Sequence, residues 1–196
     1  MKKAMLLILA LLITAPALST EMLDLKGAEA KAALAKYEAA IKTKPDDFEA
    51  LKSAGIILHQ MSRSDANKNQ VEAADGYLKQ AQKLKPDDAE TLAWLGSVIT
   101  MKALFETDPG KQTFFVKSGA RMLDKAIQQA PDNTVVRLTR AYNSLELPPF
   151  LMRTKFAVED FKYYLDLCTK RQCPPQYIAD ARAKLSVAEK TVADNK

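Results

Sequence analysis

The sequence predicts an all-α protein made of paired helices, and three observations carry the prediction. The chain is rich in Ala, Leu, Lys, Asp and Glu and holds only 6 Gly in 196 residues, a mixture that favours helices over strands. Apolar residues recur at helical spacings of three and four, and each run closes on a Pro. The turn Lys-Pro-Asp-Asp occurs at Lys44–Asp47 and again at Lys85–Asp88, 41 residues on. Hydrophobic residues at 47% and charged residues at 27% place the chain among folded proteins. Its length suits one domain or a short array of repeats.

The first element is of different material. Lys2 and Lys3 precede an apolar run from Ala4 to Ala15, and Pro16-Ala17-Leu18-Ser19-Thr20 follows. The run falls short of the roughly 20 residues that a membrane-crossing helix needs. A basic start, a short apolar middle and small residues at its end read as a secretory signal peptide, residues 1–17. Ala15-Pro16-Ala17 fits a cut after Ala17, with Ser19 as the second choice and an uncleaved anchor as the alternative. Removing Lys2 and Lys3 with no acid takes the net charge from +5 to +3. The mature chain is expected to be periplasmic or secreted. Its later stretches are not apolar enough for stable membrane insertion. The cations are scattered among acids with no evident basic stripe among aromatics, so no nucleic-acid partner is expected.

The flanks of the turn repeat with it. Before Pro45 stand Ala33, Tyr37 and Ala40; before Pro86 stand Ala74, Leu78 and Ala81; before Pro131 stand Gly119, Leu123 and Ala126. After Pro45 come Leu51, Ala54, Gly55 and Leu58; after Pro86 come Leu92, Leu95, Gly96 and Ile99. The third copy is weaker, with Arg137, Arg140, Ala141 and Ser144 in those places. Each half therefore reads as a helix with a small residue where a neighbour comes close. In the turn, Lys suits a helix C-terminus, Pro stops that helix, and an Asp caps the next one. A metal reading of the Asp pair is the weaker alternative.

These residues resemble the tetratricopeptide repeat family. The family places a large residue, Leu-Gly and another large residue on the first helix of a pair, as Leu92, Leu95-Gly96 and Ile99 stand here. It places Ala, an aromatic and Ala on the second helix before a closing Pro, as Ala33, Tyr37, Ala40 and Pro45 do. The resemblance spans about residues 28–170. The family repeat is about 34 residues; here the prolines stand 41 and 45 apart. The excess falls at Ser62–Asn69 and Thr107–Gln112, where Asp108-Pro109-Gly110 is a strong helix start, so long-armed hairpins are expected. The resemblance implies a short right-handed solenoid over 18–173, closed by a capping helix and tail at 174–196. It also implies a partner-binding groove on the first helices: Lys52, Ile56 and His59, then Ala93, Ser97 and Thr100, then Leu138, Tyr142 and Leu145. The alternative is that Leu138 and Leu145 pack against the last helices and leave no groove.

Leu147-Pro148-Pro149-Phe150 breaks the pattern, and a helix is expected from about Arg153 to Thr169. Ala157, Phe161 and Tyr164 fill its inward slots, with Tyr164 too large for a standard pair. The last helix, 175–193, carries Tyr177, Ile178, Ala181, Leu185 and Ala188 on one face. Arg137, Arg140, Arg153 and Lys155 flank the Pro-Pro break; convergent, they would bind an acidic partner, and otherwise they serve structural ion pairs. Cys168 and Cys173 are expected to form a structural disulfide outside the cytoplasm.

Little points to covalent chemistry. His59 is the single histidine, too little for a His-rich metal site or a triad on this fold. There is no Gly-rich phosphate loop, so no cofactor and no metal are expected. Met22, Met61, Met101, Met122 and Met152 read as core filler, and Trp94 as a helix-seam residue with a ligand platform as the weaker alternative. The expected function is a non-enzymatic scaffold that binds a protein or peptide, with a small-ligand or lipid-binding protein as the rival.

Overall fold

A computed structural model of the chain describes residues 25–195. The expected signal peptide, both cut sites and Met22 lie outside the described residues. The described part is all-helical, with no strand among the described residues. Eight helices follow one another: α1 (Gly27–Thr43), α2 (Phe48–Ser64), α3 (Lys68–Leu84), α4 (Ala89–Lys102), α5 (Pro109–Gln129), α6 (Thr134–Glu146), α7 (Thr154–Lys170) and α8 (Pro175–Asp194). Short 3₁₀ turns at Ala103–Phe105 and Pro149–Leu151 follow α4 and α6.

The helix boundaries follow from side chains that satisfy free backbone amides. Asp47 accepts from the Ala50 amide at 3.0 Å, and Asp88 from Thr91 at 2.7 Å. Asp108 accepts from Lys111 at 2.7 Å with Pro109 in the first turn. Asn67 accepts from Gln70 at 3.2 Å. Asn133 does the same for Val135 and Val136 at 2.9 and 3.1 Å. Each such cap stabilises by about 1 kcal/mol over Ala. Lys44 and Lys85 stand at the C-caps of α1 and α3. The extra residues between pair members lengthen the helices themselves: only 65–67 separate α2 from α3.

Helices adjacent in sequence pack on one another, and short connections make neighbours antiparallel. The helices α4 and α5 approach closely at two facing glycines. A Cβ on Gly96 would lie 2.8 Å from the Gly119 carbonyl oxygen, so neither position has room for a side chain. The even-numbered helices also touch in order. Lys52 of α2 reaches Glu90 of α4 at 2.9 Å, Asn133 at the start of α6 donates to Glu90 at 2.9 Å, and Tyr142 of α6 donates to Asp180 of α8. The apolar core runs along the seams. Ile56, Leu78, Trp94 and Val98 join α2, α3 and α4; Leu123, Ala126 and Val136 join α5 to its neighbours; Leu138, Phe161, Tyr164 and Tyr177 close α6, α7 and α8.

Two sequence expectations change. Met152 is not core filler: it is exposed, with a left-handed backbone (φ 57). The predicted face of α8 is buried at Tyr177, Ala181 and Ala188, whereas Ile178 and Leu185 are half-covered because only α7 packs closely along it. Tyr164 is buried.

Cys168 and Cys173 are bonded, with Cα atoms 5.4 Å apart, and tie the end of α7 to the turn before α8.

Candidate functional site

Alternation of helix direction puts the starts of α1, α3, α5 and α7 at one end, with the ends of α2, α4 and α6. Toward that end a cavity of about 870 Å³ opens beside α2, α4, α6 and α8 and reaches the first turns of α1. Trp94, Leu138, Tyr142, Tyr177 and Met61 supply its apolar and aromatic walls. Lys31, Arg63, Asp65, Glu146, Asp180 and Lys184 supply charge around them.

A buried polar chain joins three of the helices within that wall. The Asn143 amide donates to Thr100 Oγ1 at 2.5 Å and to Ser97 Oγ at 3.3 Å, and His59 Nε2 lies 2.8 Å from Ser97 Oγ. Thr100 Oγ1 donates in turn to the Ser97 carbonyl at 2.7 Å. The His59 ring meets Trp94 edge to face at 5.2 Å. Burial, with Arg63 nearby, pushes the His59 pKa down to about 3. The imidazole is therefore neutral across the physiological range.

Tyr142 sits at the junction with the last helices. Its ring meets Phe161 edge to face at 5.4 Å, and its hydroxyl donates to Asp180. Burial and the Asp180 carboxylate hold that phenol protonated well above its ordinary range. The Arg63 guanidinium lies 5.3 Å from the ring centroid, and its Nε donates to Glu146 at 3.1 Å. Cation–π contact and ion pair together hold Arg63 across the groove mouth.

Of the nine groove positions expected from the family slots, His59, Ser97, Leu138 and Tyr142 line the cavity. Lys52, Ile56, Ala93, Thr100 and Leu145 do not. Ile56 and Ala93 are buried in helix seams. Lys52 is buried against Glu90 and Asp88; burial lowers its pKa, but those carboxylates more than offset this and raise it. Leu138 and Leu145 belong to the cluster that includes Tyr177 and Ala181 of α8, yet the cavity remains open beside Leu138.

The slots also leave out Arg63 and Glu146. Each lies four residues, one helical turn, beyond a named slot, at His59 and Tyr142, so extending the same helical period would have found both. Trp94 lies one residue off its slot; it packs in the helix seam, as first expected, and also lines the cavity, as the ligand-platform alternative has it.

The four cations flanking the Pro-Pro break do not form one surface. Arg137 and Arg140 are buried and converge on the fully buried Asp160, with Arg137 Nη1 at 2.7 Å and Arg140 Nε at 2.6 Å. Burial pushes the Asp160 carboxyl up, against the opposing pull of the two guanidiniums. Burial also lowers the Arg140 pKa, but the Asp160, Glu159 and Asp124 carboxylates more than offset this and raise it. Arg153 is bonded to Asp124 at 2.7 Å. Only Lys155 is exposed, 5.2 Å from the Phe156 ring.

Among the described residues, no group of three His, Cys, Asp or Glu is placed to hold a metal ion, and no helix is long and apolar enough to cross a membrane. A scan against protein-family models finds no match for this chain, and neither does a search of curated proteins.

Proposed function

We propose that the chain is an exported helical-repeat protein of the tetratricopeptide type, a short right-handed solenoid that grips a segment of a protein partner without catalysis. The observation that carries the reading is the groove of about 870 Å³, with aromatic walls from separate helices and a charged rim. Such a surface suits an extended or helical peptide, whose apolar side chains fill pockets while its polar groups meet the rim. The signal-like leader and the disulfide support an envelope or extracellular setting. His59 is buried, neutral and hydrogen-bonded to Ser97, which supports a structural role over general acid–base work.

Affinity capture by the processed protein from the envelope fraction of its own cells tests the reading. A Gln60→Trp variant places bulk among the groove-lining residues, at a side chain that is not fully buried. It should lower capture of a specific protein at least tenfold with an unchanged circular-dichroism melt. Equal capture by both forms would remove the groove from the partner site. The rival reading, a small apolar or lipid ligand, draws support from the cavity volume, within the roughly 300–1,000 Å³ usual for such sites. Mass spectrometry of an organic extract of the pure protein distinguishes it: a stoichiometric lipid would favour the rival.

A further inference from the structure

The most exposed large apolar side chains gather at one end of the molecule. Leu104 is 68% exposed, Phe114 62%, Phe150 79% and Met152 63%. All four lie on the α4–α5 connection, the early turns of α5 or the α6–α7 connection, which share one end of the antiparallel helices. The 3₁₀ turn that carries Leu104 packs on α5, and Arg153, adjacent to Met152, bonds Asp124 of α5. Met152 holds a backbone conformation that costs a non-glycine residue about 1 kcal/mol, in a segment that leaves Phe150 and Met152 uncovered.

The outer face of α5 is basic beside these tips. Lys111, Phe114, Lys117, Arg121 and Lys125 are exposed, and their spacings of three and four place them on one side of the helix. The one acid on α5, Asp124, is engaged by Arg153 and Arg140. Lys111 approaches Glu106 only at 3.9 Å, and Lys117, Arg121 and Lys125 make no ion pair among the described residues. This corrects the sequence expectation that no basic stripe carries an aromatic: the helical period gathers cations that look dispersed along the chain.

We propose that this end docks reversibly on an anionic membrane surface. Phe114, Phe150 and Met152 reach among the headgroups while the α5 cations lie against lipid phosphates. Exposed apolar tips beside a row of cations suit a deformable, negatively charged surface, and each needs the other because neither alone anchors firmly.

Vesicle flotation tests the proposal, with processed protein and vesicles of phosphatidylcholine alone or mixed with phosphatidylglycerol. Binding should require the anionic lipid and fall as salt rises. Lys117→Gln with Arg121→Gln should weaken it by roughly 25-fold, at roughly fivefold per cation. Phe114→Ser with Phe150→Ser should weaken it while leaving the salt dependence in place. All four residues are exposed, so the variants should melt like the parent. Equal binding to both vesicle types, or binding unchanged in both variants, would overturn the proposal. So would tight binding to soluble polyglutamate with vesicle binding indifferent to the Phe substitutions, which would assign an acidic macromolecule instead.

Discussion

His59 shows how a single side chain reports its surroundings. Its low pKa, about 3 against an ordinary 6.5, comes first from burial. The folded state therefore refuses a proton that the unfolded chain accepts. Stability is complete above pH 6.5 and falls as the pH drops from 6.5 toward 3. At pH 4.5 the loss should reach about 3 kcal/mol. Urea unfolding at pH 7.5 and 4.5 should show this loss in the parent, and His59→Gln should remove most of it. An equal acid loss in both proteins would place the effect on carboxylates instead. The capping residues Asp47, Asp88 and Asp108 are the opposite case: their task depends on amides three positions away, so they were legible from the sequence. The partners of Arg137 and Arg140 were not, because Asp160 lies 20 or more residues on, across a helix pair.

At the scale of the element, two glycines in helix interiors have opposite meanings. A Cβ at Gly76 in α3 would touch nothing within 4 Å, whereas one at Gly119 in α5 would collide with the Gly96 carbonyl and Thr100. Gly76→Ala should therefore stabilise by about 0.5–1 kcal/mol through lower chain entropy. Gly119→Ala should destabilise by about 2 kcal/mol or more, because the helices must part. Thermal melts of the two variants should move in opposite directions. The helices themselves were readable, including the start of α5 at Asp108-Pro109. The outward face of α5 was read poorly: along the chain Lys111, Lys117, Arg121 and Lys125 stand four to six residues apart, and it is the helical period that aligns them.

For the whole molecule, the last two helices settle the form of the groove. Tyr177 packs with Leu138, Asp180 accepts from Tyr142, and the Cys168–Cys173 bridge holds the turn that delivers α8. Replacing both cysteines by Ser should cost about 2 kcal/mol on the loop-closure estimate. The loss should be read as a lower urea midpoint with unchanged helix content. An unchanged midpoint would mean that packing alone seats α8.

Periodicity and punctuation are local properties, so the chain announced its helices, caps and close glycine contacts before any coordinates. Which slots face a cavity and which are sealed in a seam depends on how far neighbouring helices turn and approach. That is a sum of many small packing energies between residues distant in sequence. Lys52 and Ile56 were lost to the core and Trp94 was gained for the groove at that level, whereas Arg63 and Glu146 stand one helical turn beyond slots the sequence already offered. The division of charge followed the same rule, since a cation is free or spoken for only once folding has brought an acid beside it.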